Sequence, residues 1–302
     1  MEFFKRLSIA LLALICFAST AACAAEAEKK EGSDGEAKEK FTDADYEKHV
    51  TELKKVMPEG FSLVINKPWV VVGDGGEKAV KSSSERTVRW ATNLLQKDYF
   101  PKDPTRIITI WLFKDKASYR KHLDEIWGID PGTPFGFYSE ANDALFMNIA
   151  TGGGTLVHEM VHPLMESNFA NCPSWFNEGL ASLYEQCGER DGKIVGHTNW
   201  RLGGLKKAIR EGAVPAFDKT MSTSEHEFYR KDPGTNYSQS RYLCYYLQER
   251  GLLRKFYSEF RKNAGTDPGG HATLMKVMAV KDLKMFQKDW EAWVSKLRFQ
   301  FR

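Results

Sequence analysis

The sequence predicts an α+β fold, with a mixed sheet and covering helices in the N-terminal part and a mainly helical C-terminal part. Three observations predict it. Strand-length runs rich in β-branched and aromatic residues at 61–65, 69–72 and 106–113 each have Gly, Pro, Asn or Asp within two residues of both ends. The segments between them carry apolar residues at helical spacing. Beyond residue 151 strand-like runs give way to helical periodicity.

Taken in order, residues 43–56 read as a first helix, and 61–65 and 69–72 as strands. Gly73-Asp74-Gly75-Gly76 forms the turn after the second strand. Residues 77–95 read as one long helix, 106–113 as a buried strand and 116–127 as a helix. A hairpin follows, with strands at 135–138 and 144–150 and a turn at Asn142-Asp143. Gly152-Gly153-Gly154 leads into a helix centred on His158. Pro173 and Ser174 open another, with Ser174 as its N-cap. Residues 237–248, 252–262 and 283–297 complete the helical part. We expect a single domain over 41–302, sheet-rich over about 61–150 and helical over about 151–302.

The first 40 residues read differently. Residues 1–22 have a short basic start, Lys5-Arg6, then an apolar run over 7–18, the pattern of an export signal. Small residues then precede Cys23. Cys23 is either the lipidated first residue of a membrane-tethered lipoprotein or part of an Ala22-Cys23-Ala24 cleavage site in a secreted protein. An uncleaved anchor is the third option. Residues 23–40 are charged, lack aromatic and branched aliphatic residues, and read as a solvated tether. The expected location is the cell envelope or periplasm.

The balance of 43 basic and 40 acidic residues, net +3, argues against a nucleic-acid partner. Gly73–Gly76 lacks both the G-x-G-x-x-G spacing and a following P-loop lysine, which argues against a nucleotide site. Beyond the export segment the cysteines are Cys172, Cys187 and Cys244. Either Cys172 and Cys187 bridge across the intervening segment or all three are buried thiols.

The chemistry-bearing pattern is His158-Glu159-Met160-Val161-His162. Histidines at i and i+4 stand about 40° apart around a helix, so both reach one ion. Glu159 then lies beside that ion as a candidate general base. Leu156, Val157, Met160, Val161 and Leu164 form the opposite, apolar arc. The segment Trp175-Phe176-Asn177-Glu178-Gly179-Leu180-Ala181 offers Glu178 as a third ligand, with small residues on its own face and Gly179 suited to close packing. The expected metal site lies between the sheet-rich and helical parts. Pro163, directly after His162, is expected to kink or end the helix.

These residues resemble the gluzincin metallopeptidases, in their peptidase-MA-like branch, over roughly residues 135–247. The resemblance implies a zincin-like fold, one Zn2+ per chain on His158, His162 and Glu178, Glu159 as base, and a peptide or protein substrate. It also implies that the strand over 144–149 is the sheet edge along which a peptide lies. Tyr237 opens a helix like the one that supplies an oxyanion-stabilising hydroxyl in this branch, with His197 and Tyr242 as weaker candidates; His226 reads as a loop histidine. Thermolysin-like gluzincins carry Asp four residues after the third ligand, where this chain has Ser182. The support of the histidines is therefore open, with Glu166 a candidate. Two other readings keep the same residues: a non-catalytic binding or scaffolding lipoprotein on this fold, and a zinc hydrolase of a non-peptide envelope substrate. Cleavage specificity and oligomeric state are not legible.

Overall fold

The computed structural model describes residues 41–230 and 234–299. The export signal over 1–22, Cys23 and the tether over 23–40 lie outside the described residues. Among the described residues no helix is long and apolar enough to cross a membrane.

Thr42 starts the fold. Its hydroxyl accepts the Asp45 amide, and the Asp45 carboxylate accepts the Thr42 amide, a reciprocal cap that begins α1 (Asp43–Val56). Five strands follow: β1 (Ser62–Asn66), β2 (Trp69–Gly73), β3 (Ile108–Phe113), β4 (Gly136–Ser139) and β5 (Ala144–Asn148). They form one mixed sheet in the order β1-β2-β3-β5-β4. β2, β3 and β5 run parallel, and β1 and β4 are antiparallel to their neighbours.

Period-2 alternation divides the sheet between two cores. Trp69, Val71, Ile108, Ile110, Leu112, Leu145 and Met147 face one side. Val70, Val72, Trp111, Phe113, Ala144 and Phe146 face the other, where Tyr46 and Leu53 of α1 pack with Tyr119 and Leu123 of α4 (Lys116–Trp127). The first side carries α2 (Glu77–Ser83), α3 (Trp90–Asp98) and α5 (Gly153–Asn168). A π-helical turn, Ser84–Arg89, joins α2 to α3, so the expected single helix over 77–95 is three linked segments.

The strand over 144–149 is not the edge. β5 lies inside the sheet, buried along its length, because it pairs with β3 on one side and its hairpin partner on the other; β4 is the outer strand.

The helical part contains α6 (Ser174–Leu183), α7 (Arg201–Arg210), α8 (Phe217–Met221), α9 (Glu225–Arg230), α10 (Thr235–Glu249), α11 (Leu253–Asn263), α12 (His271–Met278) and α13 (Leu283–Lys296). It also holds a short hairpin, β6 (Cys187–Arg190) and β7 (Lys193–Gly196), that the sequence reading passed over. Its turn is Asp191-Gly192, both at positive φ, a strong short-range hairpin signal. α6 and α10 approach closely at Gly179: a Cβ there would sit 2.9 Å from the Ser240 carbonyl oxygen and 3.1 Å from Cys244 Sγ. Cys172, Cys187 and Cys244 are free thiols, so no bridge joins Cys172 to Cys187.

Candidate metal centre

Leu156, Val157, Met160, Val161 and Leu164 of α5 are buried in the core on the sheet's first side. This turns His158, Glu159, His162 and Glu166 towards a cleft of about 680 Å³ lined also from β4, α6, α9 and α10. Pro163 does not end the helix, which runs on to Asn168. Its ring is buried, and the donor it lacks would have served the Glu159 carbonyl one turn back. α6 begins one residue earlier than expected: Pro173 is the N-cap and Ser174 the first helical residue, with no side-chain cap.

The ligand atoms of His158, His162 and Glu178 all lie within 4.8 Å of one another. His158 Nε2 is 3.3 Å from Glu178 Oε2, and the two imidazole rings are 5.0 Å apart between centroids. Glu178 is 5% exposed. Its Oε1 accepts the Tyr229 hydroxyl at 2.8 Å, whereas its Oε2 is buried without a hydrogen-bond partner. A buried carboxylate oxygen that accepts no hydrogen bond and faces two imidazoles fits a cation at that point.

The outer ring nitrogens are held from behind. His162 Nδ1 lies 3.0 Å from Asn177 Oδ1; with the amide oxygen accepting, the proton sits on Nδ1 and the Nε2 lone pair faces the cleft. His158 Nδ1 is 3.4 Å from Glu185 Oε1, an ion-pair distance longer than a good hydrogen bond. Arg201 grips that carboxylate with Nε at 2.8 Å and Nη2 at 2.5 Å, and Asn199 adds a bond of 3.1 Å. Glu166 does not support the histidines: it turns to Arg106 and the Tyr138 hydroxyl, each at 3.3 Å. Ser182 is buried, and its hydroxyl has no hydrogen-bond partner.

Glu159 Oε2 accepts the Tyr138 backbone amide at 2.9 Å and lies 3.9 Å from His162 Nε2. Tyr237 lines the cleft, with its ring 5.3 Å from the Arg201 guanidinium and 6.2 Å from the Tyr229 ring. Tyr242, His197 and His226 do not line the cleft: the Tyr242 hydroxyl accepts the Asn199 amide, and both histidines are exposed.

Burial and charge set the ionisation. Burial would raise the Glu178 carboxyl, but the two imidazoles and the Tyr229 hydroxyl bring it down to about 2. Glu185 is likewise raised by burial but held at about 2 by Arg201 and His158. Burial lowers His158, yet its carboxylate neighbours Glu178, Glu185 and Glu159 outweigh this and push it well above the ordinary imidazole value. Burial raises Glu159, with the nearby imidazoles only partly opposing it. Burial and Glu178 raise the Tyr229 and Tyr237 phenols.

Two imidazoles and one carboxylate around a single point, with a further carboxylate alongside, define a candidate mononuclear metal centre. No protein-family model matches the chain, and no curated protein matches it in sequence. Sequence reasoning missed Asn177, Glu185, Arg201, Tyr138 and Tyr229. Asn177 carried a signal, since it neighbours Glu178 on the polar side of α6. The others reach the site from separate elements, and only the tertiary packing brings them there.

Proposed function

We propose that this protein is a zinc-dependent metallopeptidase of gluzincin type with a zincin-like fold, in which His158, His162 and Glu178 hold one metal ion per chain. The observation that carries this reading is the meeting of three ligand atoms within 4.8 Å of one another, with the buried Glu178 Oε2 among them accepting no hydrogen bond. Two nitrogen donors and one carboxylate suit zinc better than calcium or magnesium, which favour all-oxygen sites. When bound, zinc supplies Lewis acidity that polarises a carbonyl and lowers the pKa of water towards about 7.

Glu159 takes a proton from the attacking water and returns it to the leaving amine. Its carboxyl, raised by burial, is better matched to that exchange near neutral pH than an exposed glutamate. The Tyr138 amide fixes one Glu159 oxygen. Tyr237 offers its hydroxyl to the oxygen on which negative charge develops. Glu185 and Asn177 hold the two imidazoles with their second nitrogens turned inward. Export through residues 1–22, and anchoring through Cys23, extend the proposal to the cell envelope.

The test is metal content and turnover together. The purified full chain is expected to carry about one zinc by elemental analysis and to cleave members of a peptide library. Glu159→Gln should keep the zinc and lose at least about 100-fold in kcat. Wild-type protein that takes up no zinc from metal-replete medium would sink the reading. A zinc-loaded chain that turns over no peptide would leave a binding protein or an envelope hydrolase.

A further inference from the structure

Among the described residues the cleft lining contains Glu140, Glu159, Glu166, Glu178 and Glu225 but no lysine or arginine. The metal reading uses Glu159 and Glu178 and leaves the other three. The cation nearest Glu166 and Glu140 is Arg106, and it is shared. Its Nε lies 2.7 Å from Asp143, and its Nη2 lies 3.3 Å from Glu166 and 3.8 Å from Glu140. One guanidinium facing three carboxylates leaves this side of the cleft with an excess of negative charge. Glu225, which lines the cleft from α9, makes no ion pair among the described residues.

Glu166 stands four residues after His162 on α5, so it projects from the same helix face. Met165 and Phe169, 1% and 5% exposed, line the cleft beside it. An apolar wall ending in carboxylates matches a side chain with a hydrocarbon stem and a cationic head. Glu178, whose buried Oε2 accepts no hydrogen bond, opens on the same cleft.

We propose that the cleft selects peptides bearing a lysine or arginine side chain close to the bond presented to Glu159, and that Glu166, assisted by Glu140, receives the cation. The position of the bond rests on the metallopeptidase reading, whereas the charge preference is measurable by binding alone.

The test uses three fluorescent peptides identical except for lysine, norleucine or glutamate at one position. Their binding to the full, zinc-loaded Glu159→Gln chain is followed by anisotropy. The lysine peptide is expected to bind about tenfold tighter than the norleucine peptide, and the glutamate peptide most weakly, with the preference shrinking as salt rises. Adding the near-isosteric Glu166→Gln should bring the lysine-to-norleucine ratio towards one, and Glu166→Lys should favour the glutamate peptide. Equal affinities, no binding, or a lysine preference unmoved by Glu166→Gln would overturn the proposal. Cleavage by the wild-type chain is scored separately. Cleavage of all three peptides alike removes the selectivity, and selective binding without cleavage removes only the metallopeptidase reading.

Discussion

In the metal-free chain the His158 imidazole sits between two carboxylates, Glu178 at 3.3 Å and Glu185 at 3.4 Å. Its raised pKa contributes stability that is complete below the ordinary 6.5 and fades as pH climbs through the folded value. Glu178 and Glu185, held at about 2 against an ordinary 4.5, contribute stability that is complete above 4.5 and is lost as pH falls towards 2. All three contributions are complete together only between 4.5 and 6.5, so these groups favour an unfolding midpoint of the chelator-treated protein that peaks in this window. Zinc must displace the His158 proton, so the midpoint gain on adding zinc should be larger near about pH 7.5 than near about pH 5.5. Calorimetry at the two pH values checks the sign. Glu185→Gln removes the charge behind His158, and zinc affinity measured against a competing chelator should fall by about 10–100-fold. His158, Glu159 and His162 were legible because helical spacing alone places them together, and Glu178 because a second amphipathic segment carries it. Glu185 was not: it lies beyond the end of α6 and reaches His158 only through the return of the chain. Tyr229 comes from a short helix 51 residues after its partner, with no local pattern to announce its target.

Helices and strands show the same division between local and tertiary information. The strands at 61–65, 69–72 and 106–113 were readable from composition and turn residues, but their neighbour relations were not. A hairpin pattern does not say which of its arms pairs onward, and here β5 rather than β4 continues the sheet. The π-helical turn between α2 and α3 leaves no mark on an otherwise helical periodicity. Glycines separate into two kinds at this scale. A Cβ at Gly154 would collide with the Glu185 carbonyl, where the start of α5 meets the chain leaving α6. Gly154→Ala and Gly179→Ala should therefore each cost about 1–3 kcal/mol, despite the helix propensity gained. Gly204, within α7, has nothing near its Cβ position, so Gly204→Ala should stabilise by up to about 1 kcal/mol. Chemical denaturation of the three variants measures the contrast.

At the scale of the whole molecule, the described residues belong to one unit, Ala37–Arg302, that holds both cores and the cleft. A chain beginning at Phe41 is expected to bind zinc as tightly as the full chain and to unfold within a few degrees of it, checked by calorimetry with and without metal. Loss of folding on this truncation would contradict that expectation. The near-neutral total charge gave no hint of the acidic cleft, because a sum over the chain hides where its carboxylates gather. The hydrogen bond from the Tyr138 amide to Glu159 has one further consequence. β4 is the outer strand, and Tyr138 spends a backbone donor on a buried carboxylate rather than leaving it free for another strand. A stray copy adding itself there would have to break a charge-assisted contact, so this edge of the sheet is guarded against runaway self-association beside Glu159.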